Sequence, residues 1–194
     1  MFVFGTGQRW YNGKMKTKIF GDKKITIRKL SVSDLKRAKE FLDFINSLIR
    51  EEAKILVKKE LTLKEEKEKL KKLLDSINNK TMVFLVADYN GKIIGTTSID
   101  LGKGRKDHVG GFGITIIHGY RGIGLGKHLM SEVIRLAKKE LNPKPKIIQM
   151  EVYINNKPAI SLYKKMGFKI VAKLPKQIQF KGKLIDEFIM LKYL

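Results

Sequence analysis

The stretch Tyr120-Arg121-Gly122-Ile123-Gly124-Leu125-Gly126-Lys127 constrains this chain more than any other. It follows a run that reads as a strand (109–117) and precedes one with a helical apolar face, Leu125, Leu129, Met130, Val133, Ile134 and Ala137. A strand, a glycine-rich turn and a helix start together make an anion site. The glycines let backbone N–H groups converge, and the helix N-terminus adds unpaired donors and a favourable dipole. Two familiar phosphate loops do not fit. A P-loop needs glycine at 121 and Ser or Thr at 128, where this chain has Arg121 and His128. A dinucleotide fingerprint fails as well, because Leu129 or Lys127 occupies its last small position, depending on where it starts.

The rest of the chain supplies the elements of one mixed sheet. Alternation over 24–30 predicts a strand, and Ser33 is read as the cap of a helix with Leu35, Ala38, Phe41, Leu42, Ile45, Leu48 and Ile49 inward. Thr62 and Glu65 form a capping box ahead of a second helix carrying Leu70, Leu73, Leu74 and Ile77. Strands over 81–89 and 92–101 flank Asn90-Gly91, a strong hairpin signal. Pro143 and Pro145 stop the helix after the glycine turn, and a strand follows over 147–154. A short helix begins at Asn156 and Pro158 and closes at Gly167. A last hairpin, 168–174 with 184–191, turns near Lys181-Gly182. The predicted class is α/β (α+β): a single mixed, largely antiparallel sheet of about seven strands with four helices. Residues 1–23 lack periodicity and read as an N-terminal arm, whose Phe2, Phe4, Trp10 and Tyr11 suit docking; Met15 is an alternative start. The domain proper is then 24–194.

Composition narrows the function. The 194 residues carry 41 basic and 19 acidic side chains, a formal charge of +22, which invites a polyanion such as a ribosome or nucleic acid. The charge is uneven, however: residues 40–75 hold nine acids and nine bases, so the whole excess lies elsewhere. With no cysteine, a thiol nucleophile and thiolate metal sites are excluded. His108, His118 and His128 lack ligand spacing, so no metal is expected. No run is apolar enough to span a bilayer and no signal-peptide region is seen, so a cytoplasmic protein without membrane contact is expected.

The segment 121–126 resembles the Arg/Gln-x-x-Gly-x-Gly/Ala motif of GNAT-type N-acetyltransferases. Residues 156–168, from Asn156 and Ala159 through Tyr163 to Gly167-Phe168, resemble that family's second signature, and the likeness runs over about 24–192. The resemblance implies acetyl-coenzyme A as cosubstrate and direct transfer of its acetyl group to a primary amine in a ternary complex. On that basis the amides of Arg121, Gly122, Ile123, Gly124, Leu125 and Gly126 meet the pyrophosphate. Ile114, Thr115 and Ile116 pair with the pantetheine arm, and the Ile116 N–H serves the oxyanion. Asn156 contacts the pantetheine, or is a plain helix cap. Tyr163 is the candidate acid for the leaving thiolate, or a core tyrosine. Glu151, placed as in relatives that acetylate protein N-termini, is the candidate base, or a structural carboxylate. A protein N-terminus, a polyamine or another small amine fits as acceptor, with Glu51, Glu52, Asp186 and Glu187 as its expected rim. The alternative is a degenerate coenzyme-binding protein, or a ribosome- or nucleic-acid-associated one, on the same fold; a homodimer is compatible with either.

Overall fold

The computed structural model describes residues 16–194, so the expectations placed on 1–15 lie outside the described residues. The elements in chain order are β1 (Lys16–Phe20), β2 (Lys23–Lys29), α1 (Ala38–Arg50), α2 (Leu63–Asn78), β3 (Met82–Tyr89), β4 (Lys92–Leu101), β5 (Val109–Ile116), α3 (Leu125–Glu140), β6 (Ile147–Tyr153), α4 (Lys157–Lys165), β7 (Lys169–Phe180) and β8 (Lys183–Tyr193). They form one eight-stranded sheet in the order β1-β2-β3-β4-β5-β6-β8-β7, antiparallel everywhere except between β5 and β6.

The count of about seven strands therefore becomes eight, because part of the expected arm is a strand. β1 pairs with β2 from Lys16↔Ile27 to Phe20↔Lys23. Its first four residues are exposed, as an edge strand allows, so no apolar alternation marks it. The first helical segment also starts earlier than Ser33 suggests. Ser31 caps a 3-10 turn, Val32–Arg37, that leads into α1; its N–H donates to the Asp34 carboxylate at 2.9 Å. Asp34 is buried and takes two 2.8 Å hydrogen bonds from Arg28.

Other signals are local and survive folding. Thr62 and Glu65 form their capping box. Asn90-Gly91 and Lys181-Gly182 both turn with positive φ at both central residues, the handedness that matches strand twist. The central strand β3 reads as a near-continuous apolar run because helices cover both faces, and on β3 and β4 Leu85, Ile94 and Ile99 are fully buried. Against them α3 lays Leu129, Met130, Val133, Leu136 and Ala137, all at 0% exposure. Among the described residues no helix is long and apolar enough to cross a membrane.

Candidate active site

The parallel step between β5 and β6 opens the site. The two strands pair only at Val109↔Ile147, Gly110↔Ile148 and Gly111↔Gln149. Beyond that point β5 stays bonded to β4, up to Gly95↔Ile116, and β6 stays bonded to β8. The wedge between them has two unpaired strand edges. The Ile117 N–H donates to the Ile94 carbonyl at 3.1 Å, so by antiparallel alternation Ile114 and Ile116 turn their N–H and C=O groups into the wedge. Thr115 turns its backbone toward β4, and its hydroxyl meets that of Thr96 at 3.0 Å. Such edges suit an extended, amide-bearing ligand that can add itself as a strand.

β5 then runs into the glycine turn. Gly122 (φ 79°) and Gly124 (φ 87°) lie in the left-handed region, and Gly124 is the N-cap of α3. Among the described residues the amides of 121–126 have no backbone acceptor, so they are available to an anion. A Cβ at Gly126 would lie 3.2 Å from the Leu162 side chain, so the turn is seated against α4. Ile123 is half-buried and Leu125 is 1% exposed; what each can offer a ligand is its backbone. The Arg121 side chain folds back instead of reaching outward. Its Nε donates to the Ile116 carbonyl at 2.6 Å, and its guanidinium pairs with Glu51. The other Glu51 oxygen accepts the His118 N–H at 3.1 Å.

The expected acidic rim is therefore assembled differently. Glu51 clamps the turn, Glu52 pairs with Lys181, and Asp186 is held by Lys173 at 2.8 Å and by the Lys176 N–H at 3.0 Å. Only Glu187 of the four lines the cavity below. Glu51→Gln should consequently weaken coenzyme affinity, by about three- to tenfold for a partly exposed ion pair with two hydrogen bonds. Calorimetry checks this; a change confined to the acceptor KM would return Glu51 to the acceptor side.

The wedge widens into a cavity of about 550 Å³ that brings together Ile114, Thr115, Glu151, Asn156 and Tyr163. Asn156 stands at the N-cap of α4, yet its side chain makes no cap hydrogen bond, and the residue lines the cavity. Tyr163 is 9% exposed and lies among rings, 6.2 Å from Phe112 and 6.3 Å from Phe168. Burial alone pushes its hydroxyl up to about 12, and among the described residues that hydroxyl makes no hydrogen bond.

The lid of the cavity is the loop between α1 and α2, which has further ties besides those of Glu51 and Glu52. The buried Asn46 bonds both backbone groups of Leu61. The Tyr153 hydroxyl donates to the Ile55 carbonyl at 2.8 Å, and Lys54 donates to the Asn155 carbonyl at 2.8 Å. Among the described residues the lining is acidic in a strongly basic protein: Asp100, Glu151 and Glu187 with one base, Lys54. Glu187 stands opposite Tyr153 on β8, on the same sheet face as Glu151. Burial raises its carboxyl above the usual range, and the Glu151 charge raises it further. Burial also raises Asp100, against the pull of Lys103. Glu187 as a partner of Glu151 is not visible in the sequence, because it depends on the β6–β8 register.

Comparison with known proteins gives the family and the fold. Residues 45–168 match the family described as the acetyltransferase (GNAT) family. Over 107 residues, 55% of this chain, it is 33% identical to an L-amino acid N-acetyltransferase of Escherichia coli and spans 65% of that relative's length. Its fold is similar to that of a GNAT-family acetyltransferase from Streptococcus pneumoniae, with a TM-score of 0.76 and 28% identity over 88% of this chain and 99% of the other. It is also similar to a microcin C7 self-immunity acetyltransferase solved with acetyl-CoA and AMP, with a TM-score of 0.71 and 17% identity over 90% and 94% of the two chains.

Proposed function

Because the chain belongs to the acetyltransferase (GNAT) family, we propose that residues 16–194 form an N-acetyltransferase domain that moves the acetyl group of acetyl-coenzyme A onto a cationic primary amine. The observation that carries this reading is the cavity's three carboxylates in a chain of net charge +22. The residues present fit the coenzyme: turn amides with no backbone acceptor among the described residues suit its pyrophosphate, and the β5 edge and the Asn156 side chain, which makes no cap hydrogen bond, suit its amide-bearing arm.

Acetyl-coenzyme A supplies an acyl thioester; the chain supplies the rest. An amine of ordinary pKa about 10.4 arrives as an ammonium and must lose a proton before it can attack. Glu151 and Glu187 receive that proton, and burial, with the Glu151 charge added, makes Glu187 a stronger base than an isolated carboxylate. The Ile116 N–H, aimed into the wedge, stabilises negative charge developing on the thioester oxygen. Nitrogen bonds to the acyl carbon as the carbon–sulfur bond breaks, and Tyr163 protonates the sulfur.

The raised Glu187 carboxyl sets the sign of the pH dependence. The base works ionised, so kcat/KM falls as the pH drops through a value above 4.5, the ordinary value for this residue. Glu151→Gln removes the neighbouring charge and should move that acid limb to lower pH while reducing the rate. Glu187→Gln should lower kcat/KM by roughly 10²-fold or more if it carries the proton. An unmoved limb in both variants would place the base elsewhere.

One observation favours a second acceptor, a free amino acid: the 33% identity to an L-amino acid N-acetyltransferase. Its carboxylate would have to sit beside Glu151 and Glu187 with Lys54 alone to balance it, whereas a peptide N-terminus or a polyamine brings no such charge. Rates on paired amino acids and their amides separate the two readings, and the amide should be the better substrate. The basic surface outside residues 40–75 supports docking on a polyanion such as a ribosome, testable as salt-sensitive retention on RNA.

A further inference from the structure

A second, smaller hollow of about 280 Å³ lies between α1, α2 and the sheet. It shares Ser98, Gly113, Ile114 and Thr115 with the larger cavity, so the two adjoin along β4 and β5. Its walls include the rings of Phe41, Phe44 and Phe84, and one carboxylate, Glu66, 1% exposed.

Burying a carboxylate is costly unless its oxygens are well bonded. Glu66 is poorly served. The helix-capping work at the start of α2 is done by Glu65, which holds the Thr62 N–H and hydroxyl at 2.7 Å. Among the described residues Glu66 meets only the Lys69 ammonium, at 3.2 and 3.4 Å, longer than the about 2.7–2.9 Å of a good charge-assisted bond. That lysine side chain is 43% exposed and lies at the mouth of the hollow. Burial outweighs Lys69 and raises the Glu66 carboxyl, as expected for a carboxylate short of donors. The proposed chemistry of transfer leaves Glu66 unused.

We propose that Glu66 is a second cation subsite, which takes an ammonium or guanidinium carried by the acceptor beyond the amine that is acetylated. The inference rests on the reading of the larger cavity as the acceptor site and narrows the acceptor to dications: polyamines, or chain N-termini with a basic side chain close by. Methylenes of such an acceptor would lie against the three phenyl walls, and its distal charge would meet a carboxylate flanked by rings. Lys69 stands in for that charge and gives way to it.

The test uses α,ω-diamines of three to six methylenes, each paired with the monoamine of equal length. Thiol release from acetyl-coenzyme A is followed with the full chain. The wild type should prefer the best diamine over its monoamine by tenfold or more in kcat/KM, the size of a charge-assisted hydrogen bond. Glu66→Gln should collapse that ratio to within about threefold through the diamine KM, and Glu66→Asp should keep part of it. A ratio that stays within twofold of wild type in Glu66→Gln overturns the subsite and leaves the acceptor cavity standing. Lys69→Met, which keeps Glu66 and removes its counter-ion, should raise the ratio; no change there also overturns it. If the wild type acetylates neither member of any pair while binding acetyl-coenzyme A, the reading of the cavity fails and takes the subsite with it.

Discussion

Tyr163→Phe is expected to lower kcat by roughly 10²–10⁴-fold while leaving acetyl-coenzyme A affinity within a few-fold of wild type. The substitution removes one oxygen from a residue whose ring is otherwise core, packed between Phe112 and Phe168. Among the described residues nothing bonds to that oxygen, so its loss leaves no partner stranded and the melting temperature should hold. With its hydroxyl pushed up to about 12, Tyr163 is protonated across the working pH range and ready to donate. An ordinary thiol, near 8.5, would draw that proton reluctantly. The burial that raises the phenol disfavours the departing thiolate as well, so the two acidities rise together and the transfer becomes feasible. No alkaline loss of rate below pH 10 should trace to this residue. A drop in kcat of threefold or less would make Tyr163 a packing residue.

Gly124→Glu should weaken acetyl-coenzyme A binding by at least 100-fold, and Gly124→Ala by no more than about tenfold. A Cβ there meets nothing within 4 Å, so crowding is not the cause. What both variants share is a φ of 87°, which costs a residue with a Cβ about 1–2 kcal/mol. The glutamate adds a carboxylate beside amides that have no backbone acceptor among the described residues, at the positive end of α3. Calorimetric titration of the two variants beside wild type separates strain from charge. Equal losses would mean that the turn binds no anion and that only its shape matters.

What the sequence revealed was whatever depends on neighbours in the chain. The glycine turn, the capping box of Thr62 and Glu65, the two hairpin turns and the helix closing at Gly167 each rest on a few consecutive residues, and all appear in the fold. The misses have physical causes too. β1 was invisible because an exposed edge strand needs no apolar face. β7 runs on past Leu174 to Phe180 because Pro175 falls in an irregular stretch of an edge strand, between Leu174 and Ile178, where Lys176 takes a φ of 56°. The candidate site was legible where it is backbone: Ile114, Ile116 and the turn. It was illegible where two distant side chains meet. Glu51 and Arg121 lie 70 positions apart, Glu151 and Glu187 share a face only through the β6–β8 register, and Glu66 looks like any charge on a polar helix until α2 docks.

The central claim is that a basic chain keeps an acidic cavity to accept a cationic amine beside acetyl-coenzyme A. Its most direct test is thiol release on mixing the protein with acetyl-coenzyme A, with and without 1,4-diaminobutane or a short peptide with a free N-terminal amine. Saturable release that requires an amine and is lost in Tyr163→Phe is expected. Tight coenzyme binding with no amine-dependent release from either acceptor would contradict it.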